Sequence, residues 1–346
     1  MSEPRLRYTR EELLRSHDYA TAQLEAGHRL HGGFDAEGRY VPPRSLVRGP
    51  ALDAWTEALR ARGGAPLRAD ASLLAGVRYP NAAQQKLLLE EGLGQTFWNL
   101  LTITGAIEAR GRVLAELAFP ELGDALVEDV SSRAVGHLNR GLLAAHGLDE
   151  GGEPERGIGG HDVMWFAVRD LAFGETGFPF PEIPQNISRP EAGAPRIPAI
   201  PLPIERTVDF LCNLLLIEFR AERIFSLAQQ LLRDPQLFRA RRAEAEHAAR
   251  LVDRIRDDEA IHVRSLCLYL GELRSLHFRT QGGGSLPGGE VVDPLWRGVV
   301  RWATVDQPPL AAAQQRAVLH ARIAQHPDAA RVLREFEALA DRPEAR

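Results

Sequence analysis

The sequence predicts an all-α protein organised round a four-helix bundle, and three observations carry that expectation. Apolar residues recur at steps of three and four along several long stretches; almost nothing alternates with the period of two that a strand needs; and glycine or proline punctuates the ends of the stretches. With 346 residues, 44% of them hydrophobic and 26% charged, the chain can form a sizeable core and lies far from the composition of disorder.

Taken in order, residues 1–80 read as an N-terminal helical extension. A helix is expected from about Arg10 to Leu30, ended by Gly32-Gly33, and Pro42-Pro43 and Gly63-Gly64 break the remainder. Residues 81–280 read as the bundle. A run of helix formers from Pro80-Asn81 to about Phe119 stops at Pro120, and a second run from about Leu122 to His146 stops at Gly147. A shorter helix is expected over Asp162 to Phe173, with Asp162 as its N-cap. The eight prolines between Pro179 and Pro203 then forbid a regular element and predict a long crossover. The third and fourth long helices are expected over about Ile204 to Leu232 and Pro235 to Arg279. Residues 281–346 read as a C-terminal extension: a flexible loop at Gly282-Gly283-Gly284 and Pro287-Gly288-Gly289, then short helices near 309–325 and 327–341. All three stretches are expected to pack as one unit.

Composition removes several classes of function. Lys and Arg number 42 against 47 Asp and Glu, a net charge of −5, which leaves no global field for nucleic acid or anionic lipid. Cys212 and Cys267 sit in apolar helical runs, as reduced packed thiols do, so no disulfide framework or zinc-type cysteine cluster is expected. The charged start MSEPRLRYTREELLRSHDY has no apolar signal core, and no stretch is long and apolar enough to span a membrane, which predicts a cytoplasmic protein. There is no phosphate-binding loop, no G-x-S-x-G elbow and no H-E-x-x-H helix.

The informative feature is which polar residues fall on the buried seams. Along the fourth helix, Val252, Ile255, Glu259, His262, Leu266, Tyr269 and Leu273 form one inward stripe, so Glu259 and His262 belong to the core. The same spacing puts Glu218 among Leu211, Leu214, Ala221 and Phe225, and Glu108 among Phe97, Leu101, Thr104 and Gly111. In the second helix the stripe through Val130, Ala134 and Gly141 takes in His137. A lone buried carboxylate costs several kcal/mol, so each of these acids should be paired, protonated or bound to a metal, and Glu-x-x-His sets a carboxylate and an imidazole one turn apart on one face. Other readings of the same residues stay open. Glu259 with His262 would also make a hydrogen-bonded core pair, Glu108 and Glu218 would also pair with Arg110, Arg112 or Arg220, and Trp98 and Tyr269 read as packing. His161, after two glycines, reads as a loop or capping residue.

With these residues in place, residues 82–280 resemble the ferritin-like di-metal carboxylate superfamily, whose pattern is Glu, Glu-x-x-His, Glu, Glu-x-x-His on four successive bundle helices. The resemblance implies metal ligation by Glu108, His137, Glu218, Glu259 and His262. Ala134 stands where the second-helix glutamate belongs; Glu222, one turn beyond Glu218, is the residue placed to fill the vacancy, and Asp129 lies too far from His137. Imidazole with carboxylates suits iron or manganese, as one or two ions with dioxygen as co-substrate. The implied activity is that of a non-haem oxidase or oxygenase acting on a small organic substrate, with an electron-donor protein and a homodimer as further expectations. The alternative is a metal-free, non-catalytic bundle serving as a binding or scaffold protein, for which Ala134 is the argument.

Overall fold

A computed structural model describes residues 5–74, 78–190 and 193–340. The chain is mostly helical. The N-terminal part holds the one-turn helix α1 (Arg10–Leu13), two small hairpins β1 (Gln23–Glu25)/β2 (His28–Leu30) and β3 (Gly33–Phe34)/β4 (Tyr40–Val41), and α2 (Arg48–Ala61). Then follow α3 (Ala82–Glu90), α4 (Gln95–Gly111), the single turn α5 (Leu122–Ala125), α6 (Leu143–Gly151) and α7 (His161–Phe173). The two longest helices, α8 (Leu202–Arg233) and α9 (Arg242–Arg274), come next. A last hairpin, β5 (His277–Arg279)/β6 (Ser285–Pro287), leads into α10 (Gly288–Arg301), α11 (Gln307–Ile323) and α12 (Ala329–Ala338). No helix among the described residues is long and apolar enough to cross a membrane.

The third and fourth expected helices form almost as read, as do the proline-rich crossover and the two closing helices. The chain departs from expectation in four places, three of them in the first half. The helix expected over 10–30 is one capped turn followed by a hairpin, because Ala26-Gly27 supplies two positive-φ residues and turns the chain back. The run from 80 to 119 is two helices parted at Gly92, whose φ of +74° is left-handed. Asn81 caps the first of them with Gln84 in a reciprocal box. Residues 122–142, expected as helix, instead make a set of tight turns, and the true helix starts only at Leu143. The buried carboxylate of Glu272 holds this segment to α9: its Oε2 accepts the Val135 N–H at 2.9 Å. Finally, Gly282–Gly284 close a hairpin, and Gly288 opens α10 instead of belonging to a loop.

Helix α9 packs against α8 on one side and α7 on the other; α7 also packs against α4, and α6 against α4 and α7. Two large apolar clusters fill this arrangement. Along α8 the buried residues Leu211, Leu215 and Leu216 belong to one cluster and Phe225, Leu231 and Leu232 to the other. Along α9 the order is reversed, with Val252 and Ile255 in the second cluster and Leu266, Tyr269 and Leu273 in the first. What separates the clusters on both helices is polar: Glu218 on α8, and Asp258, Glu259 and His262 on α9. A third cluster, Leu88, Leu319, Ile323, Val332 and Phe336, seats the C-terminal helices on α3.

Candidate metal centre

Between the two clusters lie seven side chains whose ligand atoms fall into two overlapping groups. His146, Glu150, Glu218 and His262 form one, and Glu108, Glu150, His161 and Glu259 the other, with the atoms of each group within 4.8 Å of one another. Glu150 belongs to both. His146 Nε2 lies 3.0 Å from Glu218 Oε1 and 3.6 Å from Glu150 Oε1. His262 Nδ1 lies 3.1 Å from Glu150 Oε1 and 3.0 Å from Glu259 Oε2, and His161 Nδ1 lies 3.5 Å and 3.1 Å from the Oε1 atoms of Glu150 and Glu259. Six of the seven side chains are buried and Glu108 partly so.

Five helices deliver these groups, and two glycines allow the approach. A Cβ at Gly111 would stand 2.6 Å from Glu150 Cγ, so α4 can carry Glu108 past Glu150 only with glycine one turn beyond it. A Cβ at Gly160 would stand 2.4 Å from the Gly152 nitrogen and 2.6 Å from the Glu150 carbonyl oxygen, so glycine lets the first residue of α7, His161, sit on the end of α6. His146 and Glu150 are four residues apart on one face of α6, as Glu259 and His262 are three apart on α9.

Both Nδ1-facing histidines turn their other nitrogen to a buried aspartate that directly precedes a ligand glutamate. His262 Nε2 lies 3.2 Å from Asp149 Oδ2, and His161 Nε2 lies 3.1 Å from Asp258 Oδ2. Such a partner fixes the tautomer and ring orientation of a ligating imidazole and strengthens it as a donor. Asp149 is held by Arg44 at 2.6 Å and Arg48 at 2.7 Å, which keep its carboxyl well below the usual range against the penalty of burial. Asp258 also accepts from His31 at 3.2 Å and Tyr40 at 2.9 Å, and the imidazoles overcome its burial and bring it down to about 2.

The electrostatics follows from the crowding of these acids and imidazoles. Burial first, then the neighbouring Glu150 and Glu259, push Glu108 and Glu218 well above the ordinary carboxyl range. Burial, and the stacked ring of His262 at 3.8 Å, lower His146 to about 3. Two carboxyl pairs, Glu108 with Glu150 and Glu218 with Glu259, touch closely enough to hydrogen-bond, an arrangement that needs a proton or a cation between the oxygens. Meanwhile Glu150 Oε1, Glu259 Oε1 and His161 Nδ1 are buried, and the nitrogen faces the two oxygens at 3.5 and 3.1 Å without a well-directed hydrogen bond. The carboxylate and imidazole atoms of each group lie close enough together to hold a metal ion.

Of the residues expected from the sequence, the structure brings together Glu108, Glu218, Glu259 and His262. His137 lies elsewhere and is corrected: it ends a turn, its Nδ1 meets the Arg133 carbonyl at 2.7 Å, its Nε2 accepts the Tyr8 N–H at 3.2 Å, and its ring lies 4.8 Å from that of Trp55. Both nitrogens are satisfied, so none is free for a metal. Glu222 is corrected as well, since its carboxylate is half-exposed and bound bidentately by Arg256 at 2.6 and 3.0 Å. Ala134 lies in the turn that ends at His137, and the acid that this part of the chain brings to the cluster is Glu150 on α6. His161, read as a capping residue, is a core member of the centre. His146, Glu150 and His161 were the residues sequence reasoning missed; the signal that marks them is the Asp149-Glu150 doublet, which repeats Asp258-Glu259. Replacing His137 with Ala should therefore leave metal content at the wild-type level while lowering stability by about 1–3 kcal/mol, read by elemental analysis and denaturant titration of the same preparation.

No protein-family model, no curated protein and no solved structure matches the chain.

Proposed function

We propose that the centre holds two divalent transition-metal ions, iron or manganese, and that the protein is an oxidase or oxygenase acting with dioxygen on a small organic molecule. The observation that carries this reading is Glu150, shared between two ligand groups of four. Charge supports it. Six carboxylates, Glu108, Asp149, Glu150, Glu218, Asp258 and Glu259, crowd the centre, and the guanidiniums of Arg44 and Arg48 pair with only one of them, Asp149, so the acids that face one another favour a bound cation. Mixed imidazole and carboxylate ligands, with no thiolate, suit iron and manganese. The carboxylate and histidine helices follow the order of the ferritin-like superfamily, with α6 and α7 together in the place of its second helix, and we read the fold as a variant of that bundle.

Bound there, such a metal pair would supply redox chemistry toward dioxygen. The chain itself does the rest. Glu150 belongs to both ligand groups, Asp149 and Asp258 hold His262 and His161 with Nδ1 toward Glu150 and Glu259, and the two apolar clusters flank the centre. A cavity of about 550 Å³ between α8 and α9 is lined by Glu218 and Glu259 and gives a small molecule a way in. The test is elemental analysis of protein expressed in iron- or manganese-supplemented medium, with about two ions per chain expected. Substoichiometric metal of every kind, together with a melting temperature unmoved by either ion, overturns the reading.

A further inference from the structure

We propose that the cavity between α8 and α9 binds an organic amine, with the ammonium on Asp257 and the apolar body directed toward Glu218 and Glu259. This names the substrate class of the centre described above, and in that respect it rests on that reading. The walls are set by Leu74, Phe219, Phe225, Ala260 and Val263, enough apolar surface for an alkyl or aryl group. At the floor, Glu259 is 4% exposed and its Oε1 faces His161 Nδ1 at 3.1 Å, so the cavity ends on a buried carboxylate of the centre.

The sign of the ligand's charge follows from the partners of the lining residues. Every nitrogen of the Arg256 guanidinium is engaged, Nε and Nη2 by Glu222 at 3.0 and 2.6 Å and Nη1 by Gln229 Oε1 at 2.6 Å. Arg264 is bound to Asp53, and Asp253 is taken by Gln229 and by Arg233. Asp257 is left: among the described residues it has no ion pair and no hydrogen bond. A cavity whose cations are all committed and whose free rim charge is a carboxylate selects a cation, and an anionic ligand would meet Asp257, Glu218 and Glu259 with no available guanidinium.

The experiment is calorimetric titration of the full chain with three probes of one shape, phenethylamine, 2-phenylethanol and phenylacetate, before and after manganese loading. Saturable binding of phenethylamine is expected, at least about ten-fold tighter than either of the others, and Asp257→Asn should remove that preference without changing metal content. Ala260→Phe, which fills the cavity from its solvent side, should block all three probes in a protein that folds normally. Equal binding of the anion or the alcohol, or an amine preference that survives Asp257→Asn, overturns the proposal. A chain that binds manganese but not the amine refutes this inference alone; a chain that prefers the amine but takes up no metal refutes the metal centre and leaves the amine site standing.

Discussion

Replacing Glu150 with Gln is expected to empty both metal positions at once, whereas Glu108→Gln should empty only one. Glu150 is the member common to both ligand groups, and Glu108 belongs to a single group. Gln keeps the shape and the packing against Gly111 while removing the charge and one strong acceptor. Two carboxyl neighbours gain from the change in the metal-free state, since Glu108 and Glu218 no longer face the Glu150 anion, so the variant should fold with wild-type helix content. Metal analysis and circular dichroism on the two variants decide the matter. Retention of one tight ion by Glu150→Gln would show that the positions do not share this carboxylate.

The other large effect is expected at Arg48, which touches no metal ligand. Its guanidinium is 2% exposed and 2.7 Å from Asp149, and Arg44 is the second cation on the same carboxylate. Arg48→Met leaves a buried anion short of a partner, and breaking such a pair typically costs about 3–5 kcal/mol. Arg44 remains, so the lower end of that range is expected, read as a shift of the denaturation midpoint at unchanged m. Asp149→Asn combined with Arg48→Met should recover part of the loss, because the unpaired charge is then gone and Arg44 keeps Glu153 at 3.3 Å. A single variant as stable as wild type would mean that Asp149 is not ionised in the fold.

Four of the clustered side chains were legible because their helices are long. On α8 and α9 a carboxylate that interrupts an apolar stripe at the right phase has one place to point, and Glu218, Glu259 and His262 fall there; Glu108 on α4 follows the same rule. His137 failed because the same rule was applied where no helix forms. Residues 122–142 contain helix formers, yet the segment is fixed by contacts far along the chain: the Val135 N–H on Glu272, the Asn139 amide on the Phe119 carbonyl, and the His137 ring on Trp55. Local propensity is a weak prior against such contacts. The shift in helix start moved the inward positions from Ala134 and His137 to His146 and Glu150.

By itself, then, the sequence determined the helical class, the two long helices α8 and α9, the crossover between the halves, and the burial of four acidic or imidazole groups, since periodicity and helix-breaking residues act over a few turns. Tertiary structure alone decided which groups meet. His161 reaches the centre only because Gly160 lies against Gly152, Asp149 is ionised only because Arg44 and Arg48 arrive from the N-terminal segment, and Asp258 is anchored by His31 and Tyr40 from hairpins that were read as helix and turn. The contacts of Arg44, Arg48, His31 and Tyr40 span 101 to 227 residues of chain. A pattern that repeats every three or four residues carries no record of partners so distant; they are chosen by which buried charges can neutralise one another once the helices have packed.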